Sequence, residues 1–399
     1  MTPSTGVTRP TPAGTTSPLT AEFVVDLATM DQLRPHWEGL MARNLMQAGT
    51  FFQTYDWCRH VAGIRVRSRP SRYRLCIAVV RKDRDIVAIW PLSLQKSVLA
   101  WIVRNLDDPF GQFGGMVVDN SVDPIACVDA VIKALRAQHM ADGLHIDCVC
   151  NGSPLHSALL QLGIDKTPVN EAPWINFKPH VTFDDYLALR TKKTRKNMRN
   201  ALNRLSRLGT VECTTSSDPE QLRLIVEKSF SGRIDWLNQM GKSSTAFRDR
   251  DFSDIVMQLP DCPDIRLVGF SITLDGVSIA SQWGFVYGTT YYAYLSARDQ
   301  TYDDYSVGRL HLANVIETCF QQGLTSIELM PPKSDYKLQW TDELRQLDAF
   351  TQSFTALGRL DNGVLRKYVA PGVKSLARQL PQGVRSAVSA LLNRPQKLQ

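Results

Sequence analysis

Three apolar segments, Ile265–Thr273, Val277–Tyr287 and Thr290–Ser296, follow one another with only Asp275-Gly276 and Gly288-Thr289 to turn the chain. Two-residue turns containing glycine close hairpins, so this stretch predicts an antiparallel meander. A helix over Val307–Gln322, stopped at Gly323, and a strand over Thr325–Met330 come next. Upstream, helical spacing predicts helices over Phe183–Leu208, Pro219–Phe230 and Ser244–Leu259. Helices, then a meander, then helix and strand argue for an α/β (α+β) chain around a mixed sheet.

The first half runs through a similar order. A strand is predicted at Phe23–Leu27. A helix follows over Met30–Asn44, with Leu33, Trp37, Leu40 and Met41 on one face. After Thr54 comes a short helix, then a hairpin of Arg74–Val80 and Ile86–Leu94 turned by Lys82–Asp85. The glycine-rich run Phe110–Gly115, a strand at Met116–Val118, a helix over Pro124–His139 and a strand at Leu144–Val149 complete it. At 399 residues and 43 % hydrophobic, the chain is long enough for two such lobes.

The excess of 46 Lys+Arg over 39 Asp+Glu is a net +7. The tail from Thr355 to Gln399 holds eight basic residues against Asp361 alone, which is the whole excess. The body is therefore neutral, and the tail is expected to be basic and amphipathic, fit to pack on the body or to touch an anionic membrane. The Thr/Pro/Ser-rich Met1–Thr20 has no apolar core of a signal sequence and is expected to be a disordered arm. The run Val98–Val103 is strand length, too short to cross a bilayer. The eight cysteines form no C-x-x-C pair and are expected to be reduced core thiols. No metal spacing and no Ser/His/Asp or Cys/His nucleophile signature is present.

Arg190, Lys192, Lys193, Arg195, Lys196, Arg199, Arg204 and Arg207 fall on one predicted helix. Such a block is either a solvated face or a surface for CoA phosphates, a polyanionic glycan, a lipid diphosphate or tRNA. Tyr305-Ser306-Val307-Gly308-Arg309 feeds another helix. Helix N-termini present unpaired N–H groups that bind phosphate; the plainer reading makes Ser306 a simple N-cap. Asp107–Gly111 reads as a polar loop facing an inter-lobe cleft or as an ordinary turn.

Several motifs resemble the GNAT acyltransferases, and in particular the CelD/BcsL-type (cellulose-biosynthesis-associated) acetyltransferases. They are Tyr292-Ala293-Tyr294, Asp299, Tyr302, Tyr305–Gly308, Gly323, Ile327-Glu328-Leu329, Asp335-Tyr336-Lys337 and Trp340. Thr194–Arg199, Leu33, Trp37–Leu40 and Phe51–Trp57 add to them. The chain departs from the family at Val307, where proline is usual, and at Met330-Pro331-Pro332-Lys333.

The resemblance implies a FemAB-like double-GNAT architecture: two lobes, 21–180 and 181–354, each a largely antiparallel mixed sheet flanked by helices, with the arm 1–20 and tail 355–399 outside them. It implies acetyl-CoA or another acyl-CoA as cosubstrate, no metal, and direct transfer to an amine or hydroxyl of a sugar, glycan precursor or other small acceptor. That chemistry would serve exopolysaccharide synthesis in the cytoplasm, peripheral to the inner face of the membrane; nucleic acid is not expected as a partner. Glu328 is the candidate general base, with Asp299 and Asp335 as alternates. Tyr336 or Tyr294 would protonate the thiolate, and Lys337 would hold an anion or the oxyanion. Tyr294, Ser296, Tyr305, Ser306, Val307, Gly308 and Arg309 would hold the cofactor. Two other readings stand beside this one: a FemAB-like aminoacyl transferase using aminoacyl-tRNA, and a non-catalytic accessory subunit of an envelope polysaccharide machinery. Gly308→Asp is predicted to abolish acetyl-CoA binding in calorimetry through repulsion of the pyrophosphate; unchanged affinity would remove the turn from the site.

Overall fold

The computed structural model describes residues 18–43, 50–98, 100–178, 180 and 182–362. The first half comprises β1 (Leu19–Val24), α1 (Leu27–Gln32), α2 (Arg34–Ala42), α3 (Tyr55–Ser68), β2 (Tyr73–Leu75), β3 (Ile77–Lys82), β4 (Asp85–Trp90), β5 (Leu92–Lys96), β6 (Trp101–Asn105), β7 (Val117–Val118), α4 (Pro124–Ala137), β8 (Gly143–Cys150), α5 (Pro154–Gln161) and β9 (Asp165–Asn176). The second comprises α6 (Phe183–Ala188), α7 (Lys192–Leu205), β10 (Val211–Ser216), α8 (Pro219–Gln239), α9 (Thr245–Arg248), α10 (Asp251–Met257), β11 (Leu267–Leu274), β12 (Val277–Tyr287), β13 (Thr290–Arg298), α11 (Val307–Gln321), β14 (Ser326–Glu328), α12 (Asp335–Leu338), β15 (Leu344–Ser353) and α13 (Ala356–Leu360).

The expected α+β fold, mixed sheets flanked by helices in two GNAT-like lobes, is what forms. The meander β11–β12–β13 pairs antiparallel. Its first turn has Asp275 at φ 49° and Gly276 at φ 81°, the left-handed pair that a two-residue hairpin needs. In the first lobe the long hairpin bends where Cys76 and Pro91 interrupt it. Its tips, β3 and β4, join β1 and β7 in a four-stranded sheet; its bases, β2 and β5, join the main sheet. Proline has no N–H for a ladder, so Pro91 suits the break.

The main sheet has eleven strands in the order β10-β11-β12-β13-β14-β9-β15-β8-β6-β5-β2. Its centre is a strand exchange. β9, from the first half, pairs with β14 of the second. β15, from the second half, inserts between β9 and β8 of the first. Neither strand is predicted from sequence, because β9 contains Pro168 and Pro173. Pro168 is accommodated at a register shift opposite Leu347–Asp348, where a ladder bond is already lost.

Other sequence expectations also shift. The single helix expected over Phe183–Leu208 is two helices, α6 and α7. Thr182 caps α6 with a capping box, and Thr191 caps α7 by accepting from the Thr194 N–H; the second cap restarts the chain after Leu189–Arg190. The helix expected over Ser244–Leu259 divides into α9 and α10, and α8 runs on to Gln239. Leu19 and Thr20 belong to β1 rather than to an arm. All eight cysteines are free, but Cys213 is exposed and Cys148 and Cys262 are half-buried rather than core. The amphipathic segments expected beyond Asn362 lie outside the described residues. Among the described residues no helix is long and apolar enough to cross a membrane.

One of the hydrophobic clusters spans both lobes. Phe51 stacks on Phe285 of β12 at 4.0 Å, and Phe110 on Phe252 of α10 at 5.3 Å. Beside them Arg65 of α3 and Arg69 just past its end meet Asp249 and Asp251, with Nε of Arg69 2.7 Å from Oδ2 of Asp251 and Nη1 of Arg65 2.8 Å from Oδ2 of Asp249. The Arg65 and Asp251 side chains are 4 % and 3 % exposed. Removing one member of such a buried network strands the others without water. Asp251→Ala is expected to cost about 3–5 kcal/mol of folding stability in a urea titration; a loss under about 1 kcal/mol would place the inter-lobe cohesion in the aromatic cluster alone.

Candidate active site

β13 and β14 run parallel only over Thr290↔Ser326, Tyr291↔Ile327 and Tyr292↔Glu328. Beyond that point they part. β14 stays with β9 on its other edge, where the Leu329 N–H donates to the Pro173 carbonyl. β13 continues along β12 instead, with a bulge in which Gly284 faces both Ala293 and Tyr294. A bulge of this kind swings backbone groups out of the ladder.

The gap opens onto the first turn of α11. Ser306 sits in the left-handed region at φ 56°, and its side chain makes no capping bond. The simple N-cap reading is therefore corrected: the helix starts through a strained backbone corner, and the first N–H groups, at Val307 and Gly308, have no partner inside the helix. The Val307 side chain is fully buried, so this position offers its backbone. A Cβ on Gly308 would come within 2.9 Å of Cδ of Arg298, so glycine lets the Arg298 stem lie across the turn. Arg298 is held there by Asp303 at 2.6 Å. Arg309 is exposed. Tyr305 packs between this turn and α7, with the Arg204 guanidinium 5.2 Å from its ring. The residues present fit a diphosphate: open N–H groups, a helix dipole and two nearby cations.

Glu328 stands at the parting. It is 2 % exposed; Oε1 accepts from Arg345 Nε at 2.7 Å, and Oε2 has no partner among the described residues. Burial pushes its carboxyl up, against the pull of the Arg345 charge. Arg345 lies over the Trp174 ring at 4.0 Å. A carboxylate with one free oxygen and a raised pKa is chemically suited to accept a proton. Tyr294, two residues past its β13 partner Tyr292, is turned away. The Tyr294 hydroxyl donates to the Phe110 carbonyl at 3.0 Å, and its ring packs on Trp283 and Phe285. Its side chain thus belongs to the lobe interface. Ser296, opposite Gln282 in the β12–β13 ladder, lies farther along the same strand.

The loop after β14 returns through α12. Lys337 Nζ donates to the carbonyls of Met330 at 2.7 Å and Pro332 at 3.0 Å. Burial, and then the nearby Arg233 charge, lower its pKa to about 7. Tyr336 is 40 % exposed; burial raises its phenol, while Arg233 and Arg298 pull it back. Asp335 is exposed on α12. Asp299 is spent as a cap, accepting from the Thr301 N–H at 2.9 Å. Sequence reasoning thus brings Glu328, Lys337, Tyr336 and the Ser306–Arg309 turn to one end of the sheet, and leaves Asp299 and Tyr294 occupied elsewhere. It misses Arg233, Arg298 and Arg345. Arg298 adjoins the Tyr292–Ala297 run and was legible there; Arg345 lies in a strand that the sequence did not announce.

The equivalent parting in the first lobe is filled by its own chain. β6 and β8 pair in parallel only at Ile102↔Gly143 and Val103↔Leu144. Beyond them Asn105 Nδ2 donates to the Asp147 carbonyl at 2.9 Å, and the Gly114 N–H donates to the Cys148 carbonyl at 2.9 Å. A Cβ on Gly114 would come within 2.5 Å of the Asp147 carbonyl oxygen. The Asp107–Gly111 loop faces the lobe interface but no open cleft: Trp57 Nε1–H donates to Asp107 Oδ2 at 2.7 Å, and burial raises the Asp107 carboxyl to about 7. Beside the open site, a pocket of about 330 Å³ lies between α7, the first turn of α11 and α12. Among the described residues no group of three His, Cys, Asp or Glu side chains is placed to hold a metal ion.

This is a tandem GNAT fold in which the strands of the second lobe part beside the first turn of α11. Residues 192–338 match the family described as acetyltransferase (GNAT) domain. No curated protein matches the chain. Among solved structures, FemX superposes with a TM-score of 0.56 at 13 % identity, covering 82 % of this chain and 97 % of that one. A tandem GNAT protein from the clavulanic acid biosynthesis pathway, solved without AcCoA, gives 0.50 at 14 % identity, covering 84 % and 98 %. A conserved protein of unknown function from Bacteroides thetaiotaomicron gives 0.50 at 13 % identity, covering 83 % and 99 %. The chain therefore has the GNAT-superfamily acetyltransferase fold in a double, FemX-like arrangement.

Lys337 gives the site a stability signature. Its amine is lowered from 10.5 to about 7 in the folded chain, so between those values the unfolded chain binds more protons. Stability from this group therefore rises with pH across that window and is lost toward pH 7. Lys337→Met is expected to flatten that rise. Urea titrations at pH 7 and pH 10 on both proteins measure it, and an identical pH slope would place the amine in free solvent.

Proposed function

We propose that the protein is a direct acyltransferase whose second lobe holds an acyl-CoA in the β13–β14 parting and passes the acyl group to an amine or hydroxyl. The observation that carries this reading is the contrast between the two lobes: one parting is plugged by Asn105 and Gly114, the other is left open beside a phosphate-binding turn. The α11 N-terminus with Arg298 and Arg309 would take the diphosphate. The bulge at Ala293–Tyr294 would offer backbone N–H groups to the carbonyl oxygen. Glu328 would accept the proton that the acceptor loses as the new bond forms. The C–S bond then breaks, and Tyr336 or Lys337 would return a proton to the thiolate. The CelD/BcsL-type resemblance supports a sugar or glycan-precursor acceptor and a role in exopolysaccharide synthesis.

A second donor is favoured by other observations. The FemX superposition, the FemAB-like resemblance and the exposed lysines of α7 support an aminoacyl-tRNA, whose acceptor end would run along that helix. Architecture favours this donor; the pocket, too small for a duplex, favours acyl-CoA. Incubation with labelled acetyl-CoA and, separately, with charged tRNA decides between them by which label reaches an amine-bearing acceptor. Glu328→Gln is expected to lower the transfer rate by about 10²-fold or more and to erase the acidic limb of its pH profile. An unchanged profile at reduced rate would instead make Glu328 a positioning partner of Arg345.

A further inference from the structure

The break between α6 and α7 has a chemical result. It leaves Arg190 in the link between the helices, where it lines the 330 Å³ pocket with Lys193 and Thr194 of α7, Arg309 of α11, and Gln339 and Asp342 beyond α12. Three cations thus face one carboxylate. That carboxylate compensates little: Asp342 is 93 % exposed and sits 3.8 Å from Arg190 Nη1, a separation at which solvent screens most of the attraction. The Arg190 side chain is 11 % exposed, rests over the Tyr186 ring at 5.3 Å, and keeps its buried Nε without a hydrogen-bond partner among the described residues. An arginine so enclosed, with open hydrogen-bonding capacity, is set up for an anion.

We propose that this pocket is a second phosphate site, distinct from the α11 turn, and that it takes the ribose 3′-phosphate of the acyl-CoA donor. The assignment rests on the acyl-CoA reading above. CoA carries phosphate in two places, a diphosphate and a separate monoester on the ribose. Arg309 borders both the turn and the pocket, so one ligand reaches from the first to the second. A phosphomonoester carries close to two negative charges at neutral pH, which calls for more than one cation, and Arg190 and Lys193 supply them with Arg309. The volume suits a nucleotide fragment.

Calorimetry with the full chain tests the proposal, using CoA and dephospho-CoA as probes. The wild-type protein is expected to bind CoA at least about tenfold more tightly than dephospho-CoA. In Lys193→Glu, at an exposed position, that preference is expected to disappear while dephospho-CoA binding stays within about twofold of wild type, which also shows that the variant is folded. Equal binding of the two probes by the wild type, or a preference that survives in Lys193→Glu, overturns the 3′-phosphate site and leaves the acyl-CoA reading standing. Binding of neither probe overturns both, and binding of charged tRNA in their place would assign the cations to RNA.

Discussion

The site depends on two strands that stop pairing. Parallel neighbours stay together as long as each keeps the other's backbone groups satisfied. Here β14 stays with β9 on its other edge past Glu328, where the Pro173 carbonyl takes the Leu329 N–H. β13 keeps its pairing with β12 throughout, with a bulge opposite Gly284. Each strand thus keeps its outer edge paired where the gap begins, and the backbone on the gap-facing edges is what the slot offers.

The first lobe shows what happens when that arrangement is lost. β6 and β8 also part, but Asn105 and Gly114 cross the gap and restore the missing bonds from within. The loop that does so carries Asp107 and Phe110 into the lobe interface, where Trp57, Tyr294 and Phe252 receive them. The closed slot has thus become a buttress for the open one. The same tyrosine that sequence similarity suggests for the cofactor serves as the clasp.

What the sequence disclosed follows physical rules. The meander, α11 and the Ser306–Arg309 turn were legible because turn residues and helical spacing act locally. The exchanged strands were not, since β9 hides behind two prolines and β15 is defined only by partners about 180 residues away in the chain. Arg345 went unnoticed with β15, and with it the ion pair that opposes burial at Glu328. Arg190 was visible as one charge in a basic run; the Thr191 cap that separates it from that run, and so gives it a pocket, required the structure. Asp299 was visible as an acid, but a carboxylate spent on a helix start looks no different in sequence from a free one.

The exchange of β9 and β15 also bears on how such a chain can evolve. Each half owns a strand that completes the other's sheet, so separating them would leave two raw edges, each a template for wrong pairing. A duplicated gene that acquires this crossing cannot readily shed either copy, even after one copy's slot has closed. Retention of the first lobe then needs no activity of its own to explain it. It is held by the topology, and its surface is free to drift toward whatever the acceptor demands.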